Sequence, residues 1–183
     1  SAAAATLNRI VVDTFLEAGV AVLSLPPSAS LLAEGGRIVI LNDDPIRRAL
    51  AVGLVPLIFG DTAFDQQWGG TILSTEDLFF FLAEVMRPAR ILLLGNAPGV
   101  LDDARQVIPC ITPETYPQVK PHLYGARYAD VTGGMADKVE QMVTLVQRLP
   151  GLEVRILTGQ EPGNLTQALL HPETALGTCI VAH

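Results

Sequence analysis

Residues 90–100 read Arg-Ile-Leu-Leu-Leu-Gly-Asn-Ala-Pro-Gly-Val, a continuous apolar run that passes directly into a glycine-bounded loop. An apolar run without polar alternation is typical of a strand in a parallel sheet that is covered on both faces. In such sheets, ligands bind outside the carboxyl ends of the strands, which is where the loop from Gly95 to Val100 would lie. The stretch therefore predicts an α/β fold with a ligand-binding edge.

Strand-like runs and helical stripes alternate along the rest of the chain. The strand-like runs are residues 20–25, 31–33, 37–41, 54–59, 71–73, 153–157 and 177–182. The helical stripes are residues 2–18, 45–52, 78–86, 134–146 and 164–170. Residues 102–129 contain several prolines and are predicted to be irregular. This alternation predicts a three-layer α/β/α sandwich with a mainly parallel sheet.

The composition excludes several classes of function. The 183 residues include 12 Lys and Arg against 19 Asp and Glu, a formal charge of −7, and no basic run that would favour nucleic acid. Charge-free stretches such as residues 49–60 are too short to span a bilayer, so no membrane partner is expected. The two cysteines, Cys110 and Cys179, lie far apart and have no metal-type spacing, which favours a reduced, cytoplasmic setting and predicts no metal site.

The strongest local signal for a ligand is the segment Asp-Val-Thr-Gly-Gly-Met-Ala-Asp-Lys at residues 130–138. Two glycines at a helix entrance allow close approach of a ligand, and the free N–H groups and the helix dipole favour an anion. Lys138 follows one turn later and could reach the same anion. The pattern predicts a phosphate-binding site, with a plain loop-to-helix junction as the open alternative. Residues 158–163 also precede a helix and are a weaker candidate, with a plain connection as the alternative. The rigid, glycine-bounded loop at residues 95–100 could carry an adenine or ribose, with a surface turn as the alternative.

Several motifs together resemble the isopentenyl phosphate kinases of the amino acid kinase superfamily. The matching segments are residues 53–61, 71–74, 131–138, 159–163 and 177–178. Their order and spacing agree over nearly the whole chain. The resemblance implies an amino acid kinase-like fold and transfer of the γ-phosphoryl group of ATP, with Mg²⁺, to isopentenyl phosphate.

The resemblance also implies roles for individual residues. Lys138 would bind the ATP phosphates and neutralise charge in the transition state, and Glu76 would organise the catalytic lysines. The ATP-binding residues would be Asn96, Gly99, Asp130, Thr132, Gly133, Gly134 and Lys138. The residues beside the acceptor phosphate would be Gly60, Asp61, Ser74 and Thr75. Because family members are commonly homodimers, a homodimer acting on a small-molecule phosphate acceptor is expected.

The chain departs from the family pattern in three places. The family's first strand, with its Lys-x-Gly-Gly-Ser loop, and its histidine-bearing glycine loop have no counterpart. We therefore expect one amino acid kinase-like domain that lacks its N-terminal part and is inactive alone, with residues 1–53 ending the acceptor-side lobe and residues 54–183 forming the nucleotide-binding lobe. The loop from Gly95 to Val100 lacks two family carboxylates, and Thr75-Glu76 stands where the family has Gly-Asp. These differences leave two alternatives open: a kinase with another phosphate, phosphonate or nucleotide acceptor, and an inactive nucleotide-binding or storage protein on the same fold.

Overall fold

The computed structural model describes residues 2–125 and 134–182. The chain divides into two compact units, Ser1–Leu82 and Ala83–His183. Each unit combines helices with a sheet of mixed strand direction, which confirms the α/β class and shows that the sheets are only partly parallel. In the described ranges, no helix is long and apolar enough to cross a membrane.

The first unit contains a four-stranded sheet and a separate pair of parallel strands. Its elements are α1 (Ala2–Glu17), β1 (Val22–Ser24), a 3-10 turn (Pro27–Ala29), β2 (Leu31–Glu34), β3 (Arg37–Leu41), α2 (Asp44–Ala51), β4 (Val55–Leu57), β5 (Asp61–Asp65) and β6 (Gly69–Leu73), followed by α3 (Thr75–Met86). The sheet has the order β3-β2-β5-β6, with β2 and β5 parallel and the outer pairs antiparallel. β1 pairs with β4.

A buried carboxylate joins two turns of this sheet. Asp65, which is 4% exposed, accepts hydrogen bonds of 2.7–3.1 Å from the N–H groups of Gly35 and Gly36 in the β2–β3 turn and of Gln67 and Trp68 in the β5–β6 turn. Desolvation pushes the pKa of Asp65 up, but the four N–H donors outweigh it, and the pKa lies below its usual value. One charged side chain therefore fixes both turns at the same end of the sheet.

The hairpin of β5 and β6 is longer than the sequence pattern indicates. Residues 61–65 form a strand that the pattern does not show, and β6 begins at residue 69, before the predicted strand at residues 71–73. The turn lies at residues 66–68, because the Asp65 carboxylate accepts hydrogen bonds from the N–H groups of Gln67 and Trp68. The helix predicted at residues 2–18 is present as α1, but its apolar stripe is largely exposed, with Leu7 62% and Ile10 58% exposed.

The second unit contains a four-stranded sheet covered by helices. Its elements after α3 are β7 (Arg90–Gly95), β8 (Cys110–Ile111), α4 (Tyr116–Gly125), α5 (Gly134–Arg148), β9 (Glu153–Thr158), α6 (Asn164–Leu170) and β10 (Thr178–Val181). The order is β7-β9-β10-β8, with β7 parallel to β9, β8 parallel to β10, and β9 antiparallel to β10. The apolar stripe of α5 supplies much of the core, including Val139, Met142 and Val146.

The proline-bearing middle of the chain is more regular than predicted. Instead of an irregular stretch, it contains β8 and α4. Thr112 and Thr115 close the turn before α4, since each hydroxyl accepts a hydrogen bond from the other residue's N–H group. Lys120 of α4 then bonds Glu140 of α5 at 2.8 Å. Side-chain capping and a contact with a neighbouring helix thus offset the destabilising effect of the two prolines within α4.

Candidate active site

The ends of β7 and β9 form the first part of the candidate site. The two strands are parallel and in register, with Gly95 opposite Thr158, so both end at the same edge of the sheet. The Gly159 N–H donates to the Gly95 carbonyl at 3.0 Å, and the Gln160 amide donates to Asn96 Oδ1 at 3.3 Å. Two loops that the sequence suggested separately, residues 95–100 and 158–163, therefore lie side by side.

The amino end of α5 lies at this same edge. The helix has 15 residues, about 22 Å, and the strand β9 that follows it has six, about 20 Å. Residues 149–152 join the two, and α5 packs on β9, so the helix runs back along the strand that it precedes. Gly134 begins the helix with a φ of +37°, and Lys138 is exposed one turn later. The first N–H groups of the helix, a glycine and a cation thus lie at the carboxyl edge of the sheet.

Gly99 shapes the loop after β7. A Cβ atom at this position would lie 2.8 Å from Thr178 Oγ1 and 2.9 Å from Val107 Cγ1. The fully buried Thr178 hydroxyl also accepts a hydrogen bond of 2.8 Å from the N–H of Val100. The glycine therefore lets the loop pack directly on β10. Sequence reasoning missed Thr178 and Gln160 as loop-positioning residues, although both lie inside segments that it singled out.

Three of the predicted ATP-binding residues, Asp130, Thr132 and Gly133, lie outside the described residues. The other four, Asn96, Gly99, Gly134 and Lys138, belong to the second unit and to the loops and helix end described above.

The predicted acceptor-side residues meet at one corner of the first unit. Asp61 begins β5 opposite Leu73, the last residue of β6. A Cβ atom at Gly60 would lie 3.1 Å from the Leu73 carbonyl oxygen and 3.5 Å from Thr75 Oγ1. Desolvation pushes the pKa of Asp61 up, whereas hydrogen bonds from the hydroxyl of Ser28 and the N–H of Thr62 lower it, and its pKa lies below the usual value. The corner therefore carries a charged carboxylate beside an exposed threonine.

Ser74 and Glu76 lie at the start of α3. Ser74 Oγ accepts a hydrogen bond from the Asp77 N–H at 3.1 Å, and Asp77 Oδ2 accepts from the Ser74 N–H and hydroxyl at 2.9 and 2.7 Å. This reciprocal cap starts the helix ahead of the apolar stripe predicted at residues 78–86. Glu76 lies in the first turn, half-buried. The Ser74 hydroxyl is thus already engaged in holding the helix end.

An apolar cavity of about 180 Å³ lies in the same unit. Its walls are Leu25, Pro26, Pro27, Ala29, Ser30, Leu41, Asn42, Pro45, Ile46 and Ile58. The 3-10 turn that contributes Pro27 and Ala29 also carries Ser28, whose hydroxyl bonds Asp61. The cavity therefore adjoins the acceptor-side corner.

Comparison with known proteins places this geometry in a family. The family model described as "Amino acid kinase family" matches residues 1–158. The chain belongs to the amino acid kinase family. Within it, the chain is 29% identical to an isopentenyl phosphate kinase of Methanothermobacter thermautotrophicus over 180 residues, 91% of this chain and 64% of that protein. It is 36% identical to one of Haloferax volcanii over 139 residues, 76% of this chain and 55% of that protein. The chain thus spans somewhat less than two thirds of the length of these kinases.

Solved structures agree with this membership of the amino acid kinase family. An X-ray structure of an isopentenyl phosphate kinase matches with a TM-score of 0.77 and 26% identity, over 96% of this chain and 66% of that one. A carbamate kinase from Giardia lamblia bound to AMP-PNP matches with a TM-score of 0.66 at 10% identity, over 96% of this chain and 67% of that one. The first match confirms the predicted resemblance, and the second shows that the fold is shared more widely in the family.

Proposed function

We propose that the full-length protein is an ATP-dependent kinase that phosphorylates isopentenyl phosphate to isopentenyl diphosphate. The main support is the edge of the second unit, where the ends of β7 and β9 and the amino end of α5 come together. Backbone N–H groups at a helix start and a nearby ammonium are the groups that bind a nucleotide's phosphates. The similarity to isopentenyl phosphate kinases is the reason for proposing isopentenyl phosphate as the acceptor.

In this proposal, residues of the second unit bind the nucleotide. Asn96 and the loop shaped by Gly99 contact the nucleoside, and the N–H groups from Gly134 onwards receive the phosphates together with Asp130, Thr132 and Gly133. Lys138 neutralises the charge that develops on the transferring phosphoryl group. A terminal oxygen of the acceptor phosphate attacks the γ-phosphorus, and the bond to the ADP oxygen breaks.

Magnesium belongs to this proposal because it accompanies ATP. In the described parts of the chain, no three or more His, Cys, Asp or Glu side chains are grouped to hold a metal ion. Mg²⁺ at nucleotide sites takes most of its ligands from phosphates and water with one or two carboxylates, and exposed Asp137 in the first turn of α5 is a carboxylate of this kind. When bound, the ion would neutralise charge on the β- and γ-phosphates.

The proposed binding site for the acceptor phosphate is the corner around Gly60, Asp61 and Thr75. We propose that these residues, with Ser74, lie beside the acceptor phosphate, that Glu76 orients the catalytic lysines, and that the neighbouring apolar cavity receives the five-carbon chain. A cavity with mostly hydrocarbon walls suits an isoprenoid better than a charged or sugar-containing acceptor. Ala29→Leu, which fills the cavity, should raise the KM for isopentenyl phosphate and leave the KM for ATP unchanged.

The experiment that tests the proposal measures isopentenyl diphosphate formed by the full-length protein from ATP, Mg²⁺ and isopentenyl phosphate. Lys138→Ala should lower kcat by about 100- to 1000-fold with a much smaller change in ATP affinity, because the interaction strengthens in the transition state. Arg148→Ala removes a cation from the opposite end of the same helix and should leave kcat unchanged. Equal losses of kcat and ATP affinity in Lys138→Ala would contradict the role given to this lysine.

Two other functions each have an observation in their favour. Thr75-Glu76 in place of Gly-Asp favours another phosphate, phosphonate or nucleotide acceptor, and a screen of acceptors by ADP release would show turnover of that compound instead of isopentenyl phosphate. The loss of two carboxylates from the loop at residues 95–100 favours a nucleotide-binding or storage protein. Calorimetry would then show tight ATP binding in a protein that turns over no acceptor.

The proposal extends to assembly and location. We infer a cytoplasmic homodimer from the family resemblance and the free thiols. Sedimentation analysis of the full-length protein should give the mass of two chains, and a monomer would contradict this part alone.

A further inference from the structure

Two cysteines that are distant in sequence are neighbours in the sheet of the second unit. β8 and β10 are parallel, and Cys110 lies directly opposite Cys179 in their register. Both are free thiols, Cys110 exposed and Cys179 half-buried. We propose that this pair is an oxidation site, where a peroxide or a small disulfide converts the two thiols into a reversible intramolecular disulfide. The proposal does not depend on the kinase activity.

The sheet geometry places the two thiols within reach of each other. Neighbouring strands lie about 4.8 Å apart, and residues opposite each other in a parallel pair project their side chains from the same face. Disulfides form between Cα atoms roughly 4.4 to 6.8 Å apart, so the register meets this requirement without moving either strand. The two thiols are also close enough to interact, since Cys110 is among the groups that raise the pKa of Cys179.

The two sulfur atoms differ in reactivity. Burial, with the nearby carboxylate of Glu153 and the neighbouring Cys110, raises the pKa of Cys179 to about 11. At pH 7 a thiol with this pKa is ionised in only about 1 molecule in 10,000. Cys110 is exposed and can meet an oxidant directly. Cys110 is therefore the sulfur that reacts first, and Cys179 is the resolving thiol.

The chemistry balances with hydrogen peroxide as the oxidant. The Cys110 thiolate attacks one peroxide oxygen and breaks the O–O bond, giving a sulfenic acid and releasing water after proton uptake. The Cys179 sulfur then attacks the Cys110 sulfur, and the hydroxyl leaves as water. Two thiols and one peroxide give one disulfide and two waters. A small disulfide acts through a mixed disulfide on Cys110 instead and releases two equivalents of its thiol.

Mass spectrometry of the oxidised wild-type chain tests the linkage. The monomer should lose two hydrogen atoms, and a tryptic digest should contain residues 106–127 linked to the peptide that begins at residue 156 and contains Cys179. Dithiothreitol should restore both thiols. A chain that keeps both thiols in excess peroxide, or that links only to a second chain, would overturn the proposal.

Matched variants test the order of events. In Cys179→Ser, peroxide and dimedone together should label Cys110, because its sulfenic acid has no resolving thiol. In Cys110→Ser, Cys179 should remain unlabelled over the same time. Equal labelling of both variants would contradict the assignment of Cys110 as the reacting sulfur, and the wild-type digest decides the linkage even if one variant folds poorly.

Discussion

Replacing Asp65 by Asn should strongly destabilise the first unit. Asp65 Oδ1 accepts three N–H groups, from Gly35, Gln67 and Trp68, and Oδ2 accepts the N–H of Gly36. An Asn with its oxygen at the Oδ1 position keeps three weakened bonds and turns its amide group towards the Gly36 N–H. One unsatisfied buried donor costs about 1–3 kcal/mol, and loss of charge from three bonds costs about 0.5–1 kcal/mol each. The expected loss is therefore about 2.5–6 kcal/mol.

The pH dependence of this loss provides a second check. Because the pKa of Asp65 is lower in the folded state, the unfolded chain binds more protons around its own pKa of about 3.9. The stabilisation is complete above that value and disappears as the pH falls through the folded pKa. The difference between wild type and Asp65→Asn should thus be constant near neutral pH and shrink in acid.

Urea unfolding followed by Trp68 fluorescence is the assay, because this is the chain's single tryptophan and it lies in the turn that Asp65 holds. Glu34→Gln serves as the control, since it neutralises an exposed carboxylate in the same hairpin and should change stability by less than about 0.5 kcal/mol. A loss below about 1 kcal/mol in Asp65→Asn, or a loss that persists unchanged in acid, would refute the account of this carboxylate.

Three further changes concern single contacts, each measured by urea unfolding followed by circular dichroism. Gly177→Ala should lower the free energy of unfolding by about 2–5 kcal/mol, because φ is +67° and the new Cβ would collide with the Ile156 carbonyl oxygen. Gly151→Ala is the control: its φ is +90° but the space around it is open, so the loss should be smaller. Thr178→Val leaves the Val100 N–H without its acceptor and should lower the free energy of unfolding by about 1–3 kcal/mol. Thr178→Ser keeps the hydroxyl and should lose less stability; equal losses in the two variants would contradict the role of this hydrogen bond. Ser74→Ala should cost about 1 kcal/mol, with little further loss when Asp77→Ala is added, because the two residues form one cap; additive losses would show that they act separately.

Much of the fold follows from local pattern in the sequence. The continuous apolar run at residues 90–94 and the strand-like runs at residues 31–33 and 37–41 each predict an element that the structure contains. The candidate nucleotide edge follows as well, since strand ends and glycines identify the loops that meet there. These features depend on neighbours within a few residues, which is why sequence reasoning finds them.

The missed features depend on partners distant in the chain. α4 contains Pro117 and Pro121, so local propensity argues against it, and its bond to α5 is visible only in three dimensions. Residues 61–65 begin and end with Asp, a poor strand former, yet Asp65 is the residue that binds both turns. The register that places Cys110 beside Cys179 likewise comes from the sheet alone.

The position of β10 has a consequence for folding during synthesis. In the described sheet order, β8 is an edge strand whose neighbour is β10, which the ribosome makes only after α4, α5, β9 and α6. The sheet of the first unit, by contrast, is complete once β6 has emerged. We therefore expect the first unit to fold during translation. β8, with its exposed cysteine, should have no strand partner until residue 181 has left the ribosomal exit tunnel.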